Sequence, residues 1–153
     1  MKKSKRREKI RVIIIGPTPP PFHGVSVFIK NLLNSNVKNK FDIFHLDTAD
    51  RRTVPNIGKL DFQNVYLAIK HIFILTIKLI TYKPNIVYIP ISQNRLGYLR
   101  DGLFIILSRI LGGKVIIHLH GGIFNDFYKK TDKITKIFIK ISLNQVHRAC
   151  RSL

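Results

Sequence analysis

Two histidines, His118 and His120, stand two residues apart at the end of the apolar run Val115-Ile116-Ile117. In an extended strand, residues i and i+2 point to the same side, a spacing that a metal site can use. No third ligand is near them in the sequence, and histidines satisfied by backbone partners fit the same pattern. A second polar cluster, Ser92-Gln93-Asn94-Arg95, directly follows another apolar run. The carboxyl ends of parallel strands are where open α/β sheets bind ligands. Gly24, preceded by His23, opens a segment in which Val25, Val27, Phe28, Leu32 and Leu33 share one helical face. The free N–H groups of a helix start favour an anion, and a glycine lets a ligand approach the backbone. An ordinary strand-to-helix loop with no ligand reads the same way. Finally, Lys129, Lys133, Lys136 and Lys140 fall within one narrow arc at about 100° per residue, beside an apolar stripe of Ile134, Ile137, Phe138 and Ile141. That arc is either a solvated face or a basic face for anionic lipid, where each lysine is worth about 1 kcal/mol.

The elements that must hold these residues alternate. Val12 to Ile15 is β-branched, too short for a helix, and reads as a strand buried on both faces. Gly16 ends it, and Pro17, Pro19, Pro20 and Pro21 stiffen the loop before the first helix. Phe41 to Leu46 is a second strand, with Asp47 at its end, and 50–59 is a polar connection containing Pro55 and Gly58. Residues 61–82 form the most hydrophobic segment, interrupted by Lys70, His71 and Lys78. Charges near a bilayer centre are costly, so a helix packed on a sheet, touching lipid with one side at most, is expected rather than a span. Ile86 to Pro90 is the third strand, 100–111 a helix ended by Gly112-Gly113, and 114–117 a fourth strand running into the histidines. A last helix is expected over 131–148. The alternation predicts an α/β fold with a Rossmann-like, mainly parallel sheet and helices on both faces.

Several of these stretches resemble one family. GPTPPPFHGVSVFIKNLL is similar to the first β-loop-α of family 4 glycosyltransferases, which have the GT-B architecture of two facing Rossmann-like domains. In that family the loop reads P-P-x-G-G; Gly24 matches its second glycine and His23 stands at its first. The helix ending in Lys83-Pro84-Asn85 before an apolar strand, and the strand ending in His120-Gly121, resemble the same N-terminal domain. The resemblance covers most of residues 10–149. It implies transfer of a sugar from a nucleotide-sugar donor to a saccharide or lipid-linked acceptor in surface-polysaccharide synthesis. It further implies that His23 and Gly24 approach the donor diphosphate, that His120 contacts the transferred sugar, and that Ser92, Asn94 and Arg95 face the acceptor. The nucleotide-sugar is substrate, with no cofactor and no metal expected, and no carboxylate in place to act as a base. Gly24, Arg95 and His120 are expected to line one concave surface at a common edge of the sheet.

The resemblance also implies a domain division. Residues 1–9 are a basic, disordered arm, 10–149 the N-terminal domain of a GT-B enzyme truncated before its last strands, and 150–153 an irregular tail. The C-terminal, donor-binding domain is absent, so the isolated chain is expected to be inactive. A split enzyme whose second chain supplies that domain, and a truncated remnant, are the alternatives; the ending Cys150-Arg151-Ser152-Leu153, where an apolar strand is due, favours the remnant.

Composition narrows the partners. Hydrophobic content of 45% with 23% charged residues is that of a globular chain, not a disordered one. The net charge of +19, from 27 Lys+Arg against 8 Asp+Glu, favours nucleic acid, an anionic membrane or phosphorylated substrates. A coding bias toward Lys and Ile also produces part of that excess. A nucleic-acid-binding module ranks last, because the charge is spread along the chain with no recognised binding motif. The single cysteine, Cys150, fits a reducing compartment. No signal-peptide h-region follows the basic start. A cytoplasmic protein, peripheral at the inner face of the cytoplasmic membrane, is the expected setting.

Overall fold

The structure, a computed structural model, describes residues 9–51 and 61–152. The expected basic arm, apart from Lys9, and the Pro55/Gly58 connection lie outside the described residues. Five strands, β1 (Ile10–Ile15), β2 (Phe41–Leu46), β3 (Ile86–Ile91), β4 (Lys114–His120) and β5 (Arg148–Ser152), form one sheet of order β2-β1-β3-β4-β5. Every neighbouring pair is parallel. The helices are α1 (Gly24–Asn34), the short α2 (Val37–Lys40), α3 (Phe62–Tyr82), α4 (Arg95–Ile110), α5 (Phe124–Lys130) and α6 (Lys133–Leu143). This is the Rossmann-like α/β fold that the alternating pattern predicts.

Strand alternation divides the core in two. Ile13, Ile15, Val87, Ile89, Val115 and Ile117 face the layer formed by α3, α4 and α6. Val12 and Ile14 face α1, where Ile29 is fully buried. β1 is therefore apolar on both faces, as its continuous run demands. The start of β3 is aligned by Asn85, whose side chain accepts from the Arg11 N–H (2.9 Å) while its own N–H donates to the Arg11 carbonyl (2.9 Å). α3 ends where Lys83 turns into the left-handed region at φ 48°, directly before Pro84, which cannot continue a helix.

Two sequence expectations are corrected. The helix expected over 131–148 is shorter, Lys133 to Leu143: a separate α5 stops at Lys130, Asp132 starts α6 by accepting from the Thr135 N–H (3.0 Å) and hydroxyl (2.7 Å), and β5 begins at Arg148. The break resets the helical phase, so Lys129 does not continue the arc of Lys133, Lys136 and Lys140. The tail is not irregular either. Arg148 to Ser152 pairs in register with Ile116 to His120 as an edge strand. Edge pairing rests on backbone groups, and Arg148, Ala149 and Cys150 are exposed there, so the strand needs no apolar run. Smaller differences are a four-residue helix at 37–40 and an earlier start of α4, at Arg95.

α4 and α6 approach closely across Gly102. A Cβ there would lie 2.3 Å from Cε1 of Phe138 on α6. Gly102→Ala is expected to lower unfolding stability by about 1–2 kcal/mol, overpacking outweighing the gain in helix propensity. Phe138→Leu in that background should recover part of the loss. Urea unfolding of the four members of the cycle measures the coupling, and additive effects would rule the contact out as the cause.

Candidate functional site at the carboxyl edge of the sheet

The chain leaves β1 toward α1 on one face of the sheet and leaves β3 toward α4 on the other. Loops that diverge in this way open a crevice at the switch point of a doubly wound sheet. A cavity of about 170 Å³ lies there, lined by Gly16, Pro17, Pro21 and His23 from the first loop, Thr48 after β2, and Ser92 after β3. Gly16 is needed for the close approach of the two sides, since a Cβ on it would meet Ile29 at 3.0 Å and Pro90 at 3.1 Å.

Each wall is tied down by a carboxylate. Asp47 ends β2 and accepts from the Thr18 N–H (3.1 Å), the Thr18 hydroxyl (2.6 Å) and the Ala49 N–H (2.9 Å), clamping the proline loop. Burial pushes its carboxyl up, but these hydrogen bonds outweigh burial and hold it below its ordinary value. Asp101, only 1% exposed in the middle of α4, accepts from the Ser92 N–H (2.8 Å) and pairs with Arg100 (2.8 Å). It anchors the β3–α4 loop from below.

At the start of α1, His23 caps the helix: Nδ1 accepts from the Ser26 N–H (3.4 Å), and the Ser26 hydroxyl accepts from the His23 N–H (3.0 Å). Nδ1 is thus the acceptor and burial lowers the pKa, so the ring is neutral with its proton on Nε2. The N–H groups of Gly24 and Val25 have no hydrogen-bond partner among the described residues. They are the helix's open donors at the rim of the crevice.

His118 and His120 point to the α1 side of the sheet, as their spacing predicts, with ring centroids 4.0 Å apart. The Phe28 ring stands edge-on against both, at 5.1 and 4.7 Å. His118 Nδ1 is hydrogen-bonded to the Tyr88 hydroxyl, and burial keeps that phenol well above its ordinary pKa. Burial also lowers both histidines, and His118 lowers His120 further. The Gln93 side chain donates to the His120 carbonyl, while His120 Nε2 is buried without a partner among the described residues. No group of three metal-ligating side chains occurs among the described residues.

Gly24, Arg95 and His120 share the carboxyl edge of the sheet but not one concavity. His23 and Ser92 line the crevice, and Gly24 lies at its rim. Asn94 is spent as the N-cap of α4, its side chain accepting from the Gly97 N–H (2.8 Å). Arg95 lines a separate, open cleft of about 610 Å³ with Gln93 and Asp126, and it pairs with Asp132 at 3.3 Å. His120 sits beneath Phe28. Lys136 donates to the Lys129 carbonyl (3.0 Å) and lies near the Tyr128 ring, whereas Lys133 and Lys140 are exposed on α6. Sequence reading missed Asp101 and Thr48. A lone acid inside the apolar run Tyr98 to Leu107 is a usable signal for the first; nothing marks the second. Against known proteins, the chain matches no family model and no curated sequence.

His71, on the inner face of α3, gives the fold a pH dependence. Burial holds its imidazole down at about 4, with the charges of Arg100 and Lys70 adding to the effect. The unfolded chain titrates this group near 6.5, so between pH 6.5 and 4 the unfolded state binds the extra proton. The stabilisation is complete above pH 6.5 and is lost as pH falls toward 4, on the order of 3 kcal/mol from this group. His23, His118 and His120 act in the same direction, whereas the contribution of Asp47 is lost only below 3.8. Urea unfolding between pH 7 and 4.5 should therefore steepen toward acid, and His71→Leu should flatten most of the slope. An unchanged slope in that variant would assign the effect to other groups.

Proposed function

We propose that these residues form the acceptor-side α/β unit of a glycosyltransferase of the two-domain GT-B kind, transferring a hexosyl group from a nucleotide-sugar to a saccharide or lipid-linked acceptor. The observation that carries the reading is the crevice between the carboxyl ends of β1 and β3. It lies at the switch point where such sheets bind ligands. Two open N–H groups, at Gly24 and Val25, stand at its rim beside a neutral His23 and the Ser92 hydroxyl. The resemblance of the proline loop and of His120-Gly121 to family 4 supports the same reading. Departure of a nucleoside diphosphate builds negative charge on phosphate oxygens. Prearranged backbone donors stabilise such charge without moving.

In the two-domain architecture the nucleotide itself is held by the other unit. The 153-residue polypeptide is accordingly expected to bind a nucleoside diphosphate sugar weakly and to transfer nothing. Titration of the ¹⁵N-labelled chain with UDP-glucose should shift the amides of Gly24, Val25 and Ser92 before others. A Cβ at Gly24 meets nothing within 4 Å, so Gly24→Ala should leave the melting temperature unchanged while weakening binding severalfold. Shifts confined to other surfaces, an Ala variant that binds equally well, or turnover by this polypeptide alone would each overturn the assignment.

A further inference from the structure

The layer α3–α4–α6 buries one side against the sheet and leaves an apolar surface on the other. On α3, Phe62, Tyr66, Ile69, Phe73, Ile77 and Ile80 fall within about 80° of arc at 100° per residue, opposite the buried His71, Leu75 and Leu79. Phe73, at 65% exposed, and Ile69, at 62%, lie mid-helix, where no terminus explains their exposure. The neighbouring helices continue the surface: Leu103 and Ile110 on α4, Ile134 and Ile137 on α6 are also exposed. Exposed apolar residues gathered on three adjacent helices mark an interaction site rather than scattered exposure.

Charge selects the occupant. α3 and α6 contain no carboxylate, and the only one in α4, Asp101, is buried against Arg100. The carboxylates nearest to the surface are Asp50, in the groove between α3 and α4, and Asp61 and Asp132, which cap the starts of α3 and α6 and accept from backbone N–H groups. Exposed Lys70, Lys133 and Lys140 flank the apolar residues. An apolar face bordered by three exposed lysines against one exposed acid, Asp132, itself paired with Arg95, matches the acyl boundary and anionic headgroups of a lipid surface. A second copy of the chain would bring the same lysines together, in molecules each carrying +19.

We propose that the outward face of the α3–α4–α6 layer docks in the plane of an anionic bilayer. α3 is long and apolar enough to cross a membrane by length and composition. It does not do so, because its other face is part of the core and its end is tied to the sheet by the Tyr82 hydroxyl donating to the Asp42 carbonyl (2.7 Å). Docking places α3, not the lysine arc of α6, at the centre of the contact. This inference is independent of the sugar-transfer reading.

The chain has no tryptophan, so single reporters are clean. In a Phe73→Trp variant, vesicles of phosphatidylglycerol should shift emission to the blue, and brominated acyl chains should quench it. Lys38→Trp, on α2, should remain unquenched. In co-sedimentation, the wild-type chain should bind phosphatidylglycerol vesicles in preference to phosphatidylcholine and lose binding as salt rises. Ile69→Gln with Phe73→Gln should cut binding about tenfold or more while circular dichroism stays the same, because both side chains are exposed. Lys133→Gln with Lys140→Gln should reduce the salt-sensitive part. The proposal fails if the wild type binds no vesicles, if both lipids bind it equally, or if the Ile69/Phe73 variant binds as well as wild type. It fails too if the wild type is a dimer in solution that the Ile69/Phe73 variant turns into monomers, since the face then belongs to a second copy.

Discussion

Everything in this molecule hangs on β1 being paired on both edges. Its register with β2 on one side and β3 on the other makes Ile10–Ile15 the hinge line of the sheet. The sheet grows toward β2 with α1 on one face and toward β3, β4 and β5 with α3, α4 and α6 on the other. Because strands on opposite sides of β1 are reached over opposite faces, the loops after β1 and β3 must part, and the crevice is their gap. The continuous apolar run Val12 to Ile15 is what permits this, since a strand with one polar face could not be covered on both sides.

Given the gap, two carboxylates decide its shape. Asp47 satisfies the backbone of the proline loop and Asp101 that of the β3–α4 loop. Both accept N–H groups that would otherwise be unpaired in a partly buried setting, where an unmade hydrogen bond is expensive. Asp101 is the more costly to disturb: removing it strands the Arg100 guanidinium and the Ser92 N–H together. The shape of the crevice is therefore set by hydrogen bonds within the fold itself.

The sheet was legible because its signals are local. Val12 to Ile15 and Ile86 to Pro90 are β-branched runs closed by glycine or polar residues, and the spacing of His118 and His120 gave their common side. The lysine arc lost Lys129 for a reason periodicity cannot contain: Asp132 resets the helix, and a capping aspartate looks like any polar residue within a repeating pattern. The fifth strand was hidden because an exposed edge needs backbone pairing and no apolar run. For the candidate site, residue type placed the polar side chains at the carboxyl edge of the sheet but did not show which of them share a cavity. Asn94 and Arg95 look like ligand contacts in the sequence, yet one caps a helix and the other pairs with Asp132 on a segment 37 positions away. Which polar side chains are already spent is a three-dimensional fact.

The two faces of the sheet are unequally roofed: α3, α4, α5 and α6 pack over one, while α1 is the helix packed on the other. Arg148 and Cys150, on the edge strand β5, are exposed. Local opening is easiest where few apolar contacts must be broken. Amide protons of β5 should then exchange with solvent through fraying of that rim alone, while those of β1 and β3 wait for the whole chain to unravel. The molecule carries a gradient of cooperativity across its strands, firm where the crevice is built and loosening toward β5.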